Sequence, residues 1–198
     1  ASQTAIETLR RCFNSEFAAS AQKDTSAENI LEKCLPLINS ALDKMRAAAV
    51  AGDIFVSSLV CGYFDGNRFY TAHAGNGAVY LVHNARIQRI TENHEIKSLT
   101  DPALSEEYGA KSILGLNTSN FRAGFASIDV VPGDTIILCS DGVTERIDNL
   151  TLLDFALNSS NPEENVERTL KKAALKSGAN DMSIVAVNFE GPDHEPTV

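Results

Sequence analysis

Apolar positions recur every three or four residues in the first quarter of the chain: Ile6, Leu9, Cys12, Phe13 and Phe17, then Ile30, Leu31, Cys34, Leu35, Ile38, Leu42 and Met45. That spacing places each set on one face of a helix. It predicts a helix from 1 to about 22 and a second ending near Val50, separated by the polar, cap-forming Lys23-Asp24-Thr25-Ser26. Pro36 is expected to kink or restart the second helix, because proline lacks the amide proton that an interior helical position donates.

After Gly52 the period changes. Ile54 to Phe64 is rich in apolar and β-branched residues, and Asp65-Gly66-Asn67 turns it into a second strand from Arg68 to Ala74. Gly75-Asn76-Gly77 reads as another tight turn, leading to Val79–His83 and Arg86–Ile90, which are joined at Asn84-Ala85; together these predict an antiparallel meander. Thr91 to Lys111 is polar, contains Pro102 and has no clear period, so a long surface loop is expected there, suited to a lid or flap. Structure is expected to resume at Ser112–Leu116, with a strand over Phe121–Val130, a turn at Pro132-Gly133-Asp134 and a buried strand over Thr135–Cys139. Two helices should follow, from about Leu150 to Leu157 and from Asn161-Pro162-Glu163-Glu164 to about Lys176; Met182–Phe189 then makes a last strand. Helices grouped at both ends of a β region predict an α+β fold, an αββα sandwich of two mostly antiparallel sheets flanked by helices. One domain is expected over 1–190, with a disordered tail over 191–198.

Composition narrows the function classes. The chain has 198 residues, 43% of them apolar, enough for a core without disulfides or a structural metal. Acidic residues outnumber basic ones 26 to 17, for a formal net charge of -9, and no basic patch is visible; nucleic acid is not an expected partner. No apolar run approaches the roughly 18 residues of a membrane span, and no secretory signal pattern opens the chain. Cys12, Cys34, Cys61 and Cys139 are far apart in sequence and lie among apolar residues, which argues for buried thiols and a cytoplasmic protein. The first residue is Ala1 and not Met, as expected of a fragment or a processed product.

The strongest chemical signal is Ile136-Ile137-Leu138-Cys139-Ser140-Asp141-Gly142, a strand apolar on both faces that ends on a carboxylate beside a glycine. An aspartate leaving a central strand is rigidly held, as a hard divalent cation requires, although Asp-Gly is also ordinary turn chemistry. A second signal is Asn180-Asp181 ahead of the apolar strand Met182–Phe189; its carboxylate converges with Asp141 if the two strands are neighbours.

In order, the chain carries Gly75-Asn76-Gly77-Ala78-Val79-Tyr80-Leu81, Thr91-Glu92-Asn93-His94, Ile113-Leu114-Gly115, Pro132-Gly133-Asp134, Cys139-Ser140-Asp141-Gly142 and Asn180-Asp181-Met182-Ser183. This series resembles the metal-dependent protein serine/threonine phosphatases of type 2C and their bacterial serine-phosphatase relatives over nearly the whole chain, including the opening Ala1-Ser2-Gln3-Thr4-Ala5-Ile6-Glu7-Thr8-Leu9. The resemblance implies removal of phosphate from phosphoserine or phosphothreonine, with two Mg²⁺ or Mn²⁺ ions that acidify a bridging water for in-line attack. It implies Asp141 and Asn180 as metal ligands, with Asp181 able to substitute for Asn180, and Asn76, Gly142 and His94 at further family-matched positions.

Three departures qualify the expectation. Asn180 and Asn76 stand where the family has aspartates, so charge is lost at both, and a weaker additional metal site at Asn76 is expected to be absent. The family's Asp-Gly-Met-Gly-Gly-His motif, an acidic residue before it and a phosphate-binding arginine precede the helix at which this sequence starts. Half of the dinuclear site and the N-terminal strands are therefore missing from this chain, and the sheet edges so left bare call for a longer natural protein, an association that covers them, or a reduced fold used for binding. The alternative reading is accordingly a catalytically inactive, phosphatase-like regulatory module, and the expected partner is a phosphorylated protein substrate or a regulatory protein. Arg122, Arg146 and Lys111 are the cations nearest the predicted site mouth, candidates for holding a phosphate; His73, His83 and Cys139 read as packing or satisfied residues.

Overall fold

The structure is a computed structural model and describes residues 1–20, 26–49, 55–92, 113–115, 121–158, 162–176 and 181–191. Helix α1 spans Ser2–Ser20 and α2 spans Ala27–Ala48. The α2 N-terminus is capped by Ser26, whose hydroxyl accepts from the Asn29 amide. Helix α2 buries the face that the sequence pattern marks, with Ile30, Leu31, Cys34, Leu35, Ile38 and Leu42 inside, whereas α1 buries Ala5, Thr8 and Cys12 and leaves Ile6 and Phe17 of its marked face exposed. Pro36 does not restart α2, which runs through it as one element. The proline lies on the solvent face, where the carbonyl it leaves without an amide partner has water, while Leu35 and Ile38 beside it hold the helix down.

Seven strands follow among the described residues: β1 Leu59–Phe64, β2 Arg68–Ala74, β3 Ala78–His83, β4 Arg86–Arg89, β5 Gly124–Asp129, β6 Thr135–Cys139 and β7 Ile184–Asn188. Their hydrogen bonds make two antiparallel sheets, one ordered β1-β2-β5 and the other β4-β3-β6-β7. The β1–β2 turn is fixed by Asp65, whose Oδ1 accepts from the amides of Asn67 and Arg68, with Gly66 at φ 105°. Asn84 and Ala85, both at positive φ, make the tight β3–β4 turn.

The expected continuous meander is broken in the middle. β2 and β3 belong to different sheets, and Gly75-Asn76-Gly77 is a crossover between layers instead of a hairpin turn. Glycine is needed there: Gly75 sits at φ 92°, and a Cβ on Gly77 would lie 2.2 Å from Val60 Cγ2 and 3.2 Å from the Cys139 carbonyl oxygen. Val60 is stiff at χ1 and the Cys139 oxygen is backbone, so neither yields easily. Gly77→Ala is expected to cost about 1–3 kcal/mol, read as a lower urea midpoint at unchanged slope.

The helical layers cover both outer faces. Leu31 and Leu35 of α2, with Phe13 of α1, pack on Ala72, Cys61 and Phe125 of the first sheet. Beyond β6 the chain forms the short α3 (Asp141–Thr144), then α4 (Asn149–Leu157) and α5 (Pro162–Ala174). Val143, Ile147, Leu152, Phe155 and Ala173 from this region close over Tyr80, Val82 and Ile137 of the second sheet. Between the sheets Phe69, Val79 and Ile136 form a shared core with Val60, Leu138 and Phe189. This is the expected αββα sandwich; α3 is the element that the sequence pattern did not predict. No helix among the described residues is long and apolar enough to cross a membrane.

Candidate functional site

The site is assembled at the end of β6. Thr135, Ile136, Ile137 and Cys139 are buried, so this strand is fixed from both faces and delivers Ser140 and Asp141 at a defined place. Ser140 is extended at φ -70° and ψ 162°, and the chain then winds into α3. Asp141 Oδ1 accepts from the Gly142 amide at 2.9 Å, while the Asp141 carbonyl accepts from the Glu145 amide at 2.9 Å and from the Thr144 hydroxyl. These contacts hold the carboxylate, half-buried, at the mouth between strand end and helix.

Ser140 ties this turn to the last strand. Its amide donates to the Ser183 carbonyl at 3.0 Å, its hydroxyl accepts from the Ser183 amide at 2.9 Å and donates to the Asp181 carbonyl at 3.2 Å. β6 and β7 are paired from Cys139↔Ile184 to Thr135↔Asn188, which makes the two strands neighbours, the condition on which the expected convergence of Asp181 and Asp141 depends. Asp181 is exposed, and its backbone carbonyl is held at the Ser140 turn. Asn180 lies outside the described residues, as do His94, Lys111 and most of the loop from Thr91 to Lys111, and the tail beyond Gly191.

Asn76 enters from the crossover. Ala78 pairs with Cys139 and Gly77 lies against the Cys139 carbonyl, so the crossover brings Asn76 toward the end of β6 from which Asp141 emerges. Asn76 Oδ1 is buried without a hydrogen-bond partner. An orphaned buried carbonyl oxygen is costly unless something donates to it or ligates through it. Together Asp141, Asp181 and Asn76 offer only hard oxygen donors, which suit Mg²⁺ or Mn²⁺ and not a soft metal. Among the described residues no three His, Cys, Asp or Glu side chains group into a metal-binding cluster, so the donor set that the described chain offers is incomplete.

Of the cations expected near the site mouth Arg146 is turned inward, while the histidines and Cys139 are satisfied or packed as the sequence suggests. Arg146 is 6% exposed, and its guanidinium donates to the Gly142 carbonyl at 3.0 Å while Lys176 Nζ donates to the Arg146 carbonyl at 2.6 Å. It braces the Asp141-Gly142 turn from beneath and is too buried to serve as a surface phosphate grip; sequence alone does not reveal which way it points. His73 is buried, with Nε2 2.9 Å from the Glu92 carbonyl, and burial lowers its pKa below the ordinary value. His83 Nδ1 lies 2.7 Å from Asp134 Oδ1. Both histidines are satisfied residues away from Asp141. Cys139 is core, its thiol pushed up to about 12 by burial, which removes it as a nucleophile.

Two layers of helices around two antiparallel sheets, with an Asp-Gly turn at the central strand end, define a phosphatase-type sandwich, and solved structures share it. PppA, a regulatory component of type VI secretion in Pseudomonas aeruginosa, superposes with a TM-score of 0.70 at 20% identity, covering 94% of this chain and 78% of that one. The catalytic domain of the serine/threonine phosphatase PstP, solved with two manganese ions, superposes at 0.66 and 19% identity over 91% of this chain and 80% of that one. The Stage II sporulation protein E (SpoIIE) family matches residues 5–190, and the chain belongs to that family. PstP of Mycobacterium tuberculosis is 23% identical over a 149-residue alignment that covers 71% of this chain and 29% of PstP. The chain therefore spans less than a third of the length of the curated relatives it matches.

Proposed function

We propose that this chain carries part of the active site of a metal-dependent protein phosphatase acting on phosphoserine or phosphothreonine. The observation that carries the reading is the placement of Asp141 at the end of a strand buried on both faces, locked through Ser140 to the entry of β7. SpoIIE family membership and the likeness to PstP support the enzyme over the alternative of an inactive binding module. In this reading Asp141 and Asp181 contribute carboxylate oxygens, and Asn76 contributes a neutral one that ligates without cancelling charge. A bound Mg²⁺ or Mn²⁺ supplies Lewis acidity that acidifies water and neutralises phosphoryl oxygens. Ser140 fixes the spacing of the two strand ends, and Arg146 prevents the Asp141-Gly142 turn from relaxing when charge is added beside it.

The substrate is a phosphorylated protein, and bound dications offset the repulsion between its phosphate and an acidic chain of net charge -9. The free thiols support a cytoplasmic setting. Among the described residues β1 pairs only with β2, and its sequence Leu59–Phe64 has no charge or proline to guard the other edge. That supports association with another β-strand along this edge.

Hydrolysis of a phosphothreonine peptide tests the reading. Turnover is expected in Mn²⁺, falling by about 100-fold or more in excess EDTA and returning when Mn²⁺ is restored. Turnover indifferent to EDTA, or no Mn²⁺-dependent turnover by the full-length protein, would overturn it.

A further inference from the structure

The packing of α1 on α2 brings together two residues that the sequence holds 22 positions apart. Cys12 and Cys34 face each other in the helix interface, with Sγ atoms 2.6 Å apart and Ile30, Leu9 and Phe13 around them. Glu16, one turn beyond Cys12, forms a 2.7 Å ion pair with Lys33, the neighbour of Cys34, so the two helices are pinned in this alignment by a second, independent contact. Cys12 is 8% exposed and Cys34 is fully buried, so an oxidant reaches the pair from the Cys12 side.

We propose that Cys12 and Cys34 are a peroxide-sensitive thiol pair that closes into a reversible disulfide and staples α1 to α2. The chemistry balances with hydrogen peroxide as the oxidant. Its O–O bond breaks as one oxygen joins the Cys12 sulfur, giving a sulfenic acid and one water. The Cys34 sulfur then displaces that hydroxyl, its own proton leaving with it as a second water, and the S–S bond forms. Two thiols thus lose two electrons and two protons to one peroxide. Cys34 is fully buried behind Cys12, so peroxide meets the Cys12 sulfur first, and Cys34 resolves the sulfenic acid because its sulfur is already in contact with it.

The other thiols are placed differently. Cys61 on β1 donates to the Ala72 carbonyl at 3.5 Å, with its pKa pushed up to about 12 by burial, and Cys139 is in the core of the second sheet. Neither has a second sulfur in hydrogen-bond contact. The staple would close a loop of about 20 residues, and α1 is the element it secures. The first turn of α1 contributes Ala5 to the cluster with Ala74 and Leu114, directly before the Gly75-Asn76-Gly77 crossover. Oxidation state is thereby connected to the firmness of the layer behind the site.

Mild peroxide treatment of the full chain, followed by alkylation under denaturing conditions and peptide mapping, tests the proposal. The expected result is a fall from four alkylated thiols to two, one cross-linked peptide joining Cys12 to Cys34, and a Tm higher by about 5–10 °C, all reversed by dithiothreitol. Cys12→Ser and Cys34→Ala should each abolish the link, whereas Cys61→Ala should retain it. Four thiols still alkylated after peroxide, or a link made to Cys61 or between two chains, would overturn the proposal, and the mapping on the unaltered chain decides this even where a variant fails to fold.

Discussion

Asp141→Asn is expected to lower Mn²⁺-dependent hydrolysis of a phosphothreonine peptide by about 1,000-fold while leaving the unfolding midpoint unchanged. The two halves of the prediction come from different atoms. The structural duty of the side chain is to accept the Gly142 amide proton at 2.9 Å, and an asparagine Oδ1 accepts it equally well in the same volume. The backbone carbonyl that starts α3 and accepts from Glu145 is not altered. The change removes the negative charge, which a neutral amide does not replace when two dications and a phosphate must be balanced in one place. Loss of Mn²⁺ binding, followed by calorimetry on the folded variant, should accompany the loss of rate. Asp181→Asn should have a smaller effect, because the contact that holds this residue to Ser140 is its carbonyl and its side chain is exposed. Equal rates for Asp141→Asn and the unaltered chain would remove Asp141 from the site.

What the sequence made legible is local. The helical face of α2, the turns at Asp65-Gly66-Asn67, Asn84-Ala85 and Pro132-Gly133-Asp134, and the doubly apolar β6 are written in neighbouring residues, and each stands where the pattern places it; α1 forms where expected but leaves Ile6 and Phe17 exposed. Asp141 was legible for the same reason, since a carboxylate after a buried strand needs no distant contact to be noticed. That β6 and β7 are neighbours, on which any convergence with Asp181 depends, is a condition that only pairing could supply. The sheet change between β2 and β3 was hidden because Gly75-Asn76-Gly77 has the composition of a hairpin turn. What decides against the hairpin is long-range, the fit of Gly77 against Val60 and Cys139. Arg146 and the Cys12–Cys34 contact were illegible on similar grounds: periodicity marks a residue as facing inward and is silent about what faces it. At Pro36 the helix continues instead of restarting, since the buried residues on either side outweigh one missing hydrogen bond on the exposed face.

The second large effect is expected at the strand that supports the site. Ile136 and Ile137 are adjacent and fully buried, yet they belong to different cores: Ile136 packs with Phe69 and Val79 between the sheets, and Ile137 packs with Val143, Leu152 and Phe155 beneath the outer helices. Each isoleucine-to-alanine change removes buried methylenes and leaves a cavity, at a cost of about 2–4 kcal/mol read as a lower urea midpoint. Because the side chains point to opposite faces, their cavities do not merge, and the double variant should lose close to the sum of the two. Near-additive loss is thus the signature of a central strand holding two layers at once. If one of the pair were dispensable, β6 would have a free face, and Asp141 would emerge from a strand able to shift under it. A loss below about 1 kcal/mol at either position would show such freedom and weaken the case for a rigid metal ligand. The same rigidity explains why one serine suffices to register the entry of β7 against the end of β6: Ser140 is anchored to a strand that has nowhere to move, so its three hydrogen bonds transmit that fixed position to the start of β7.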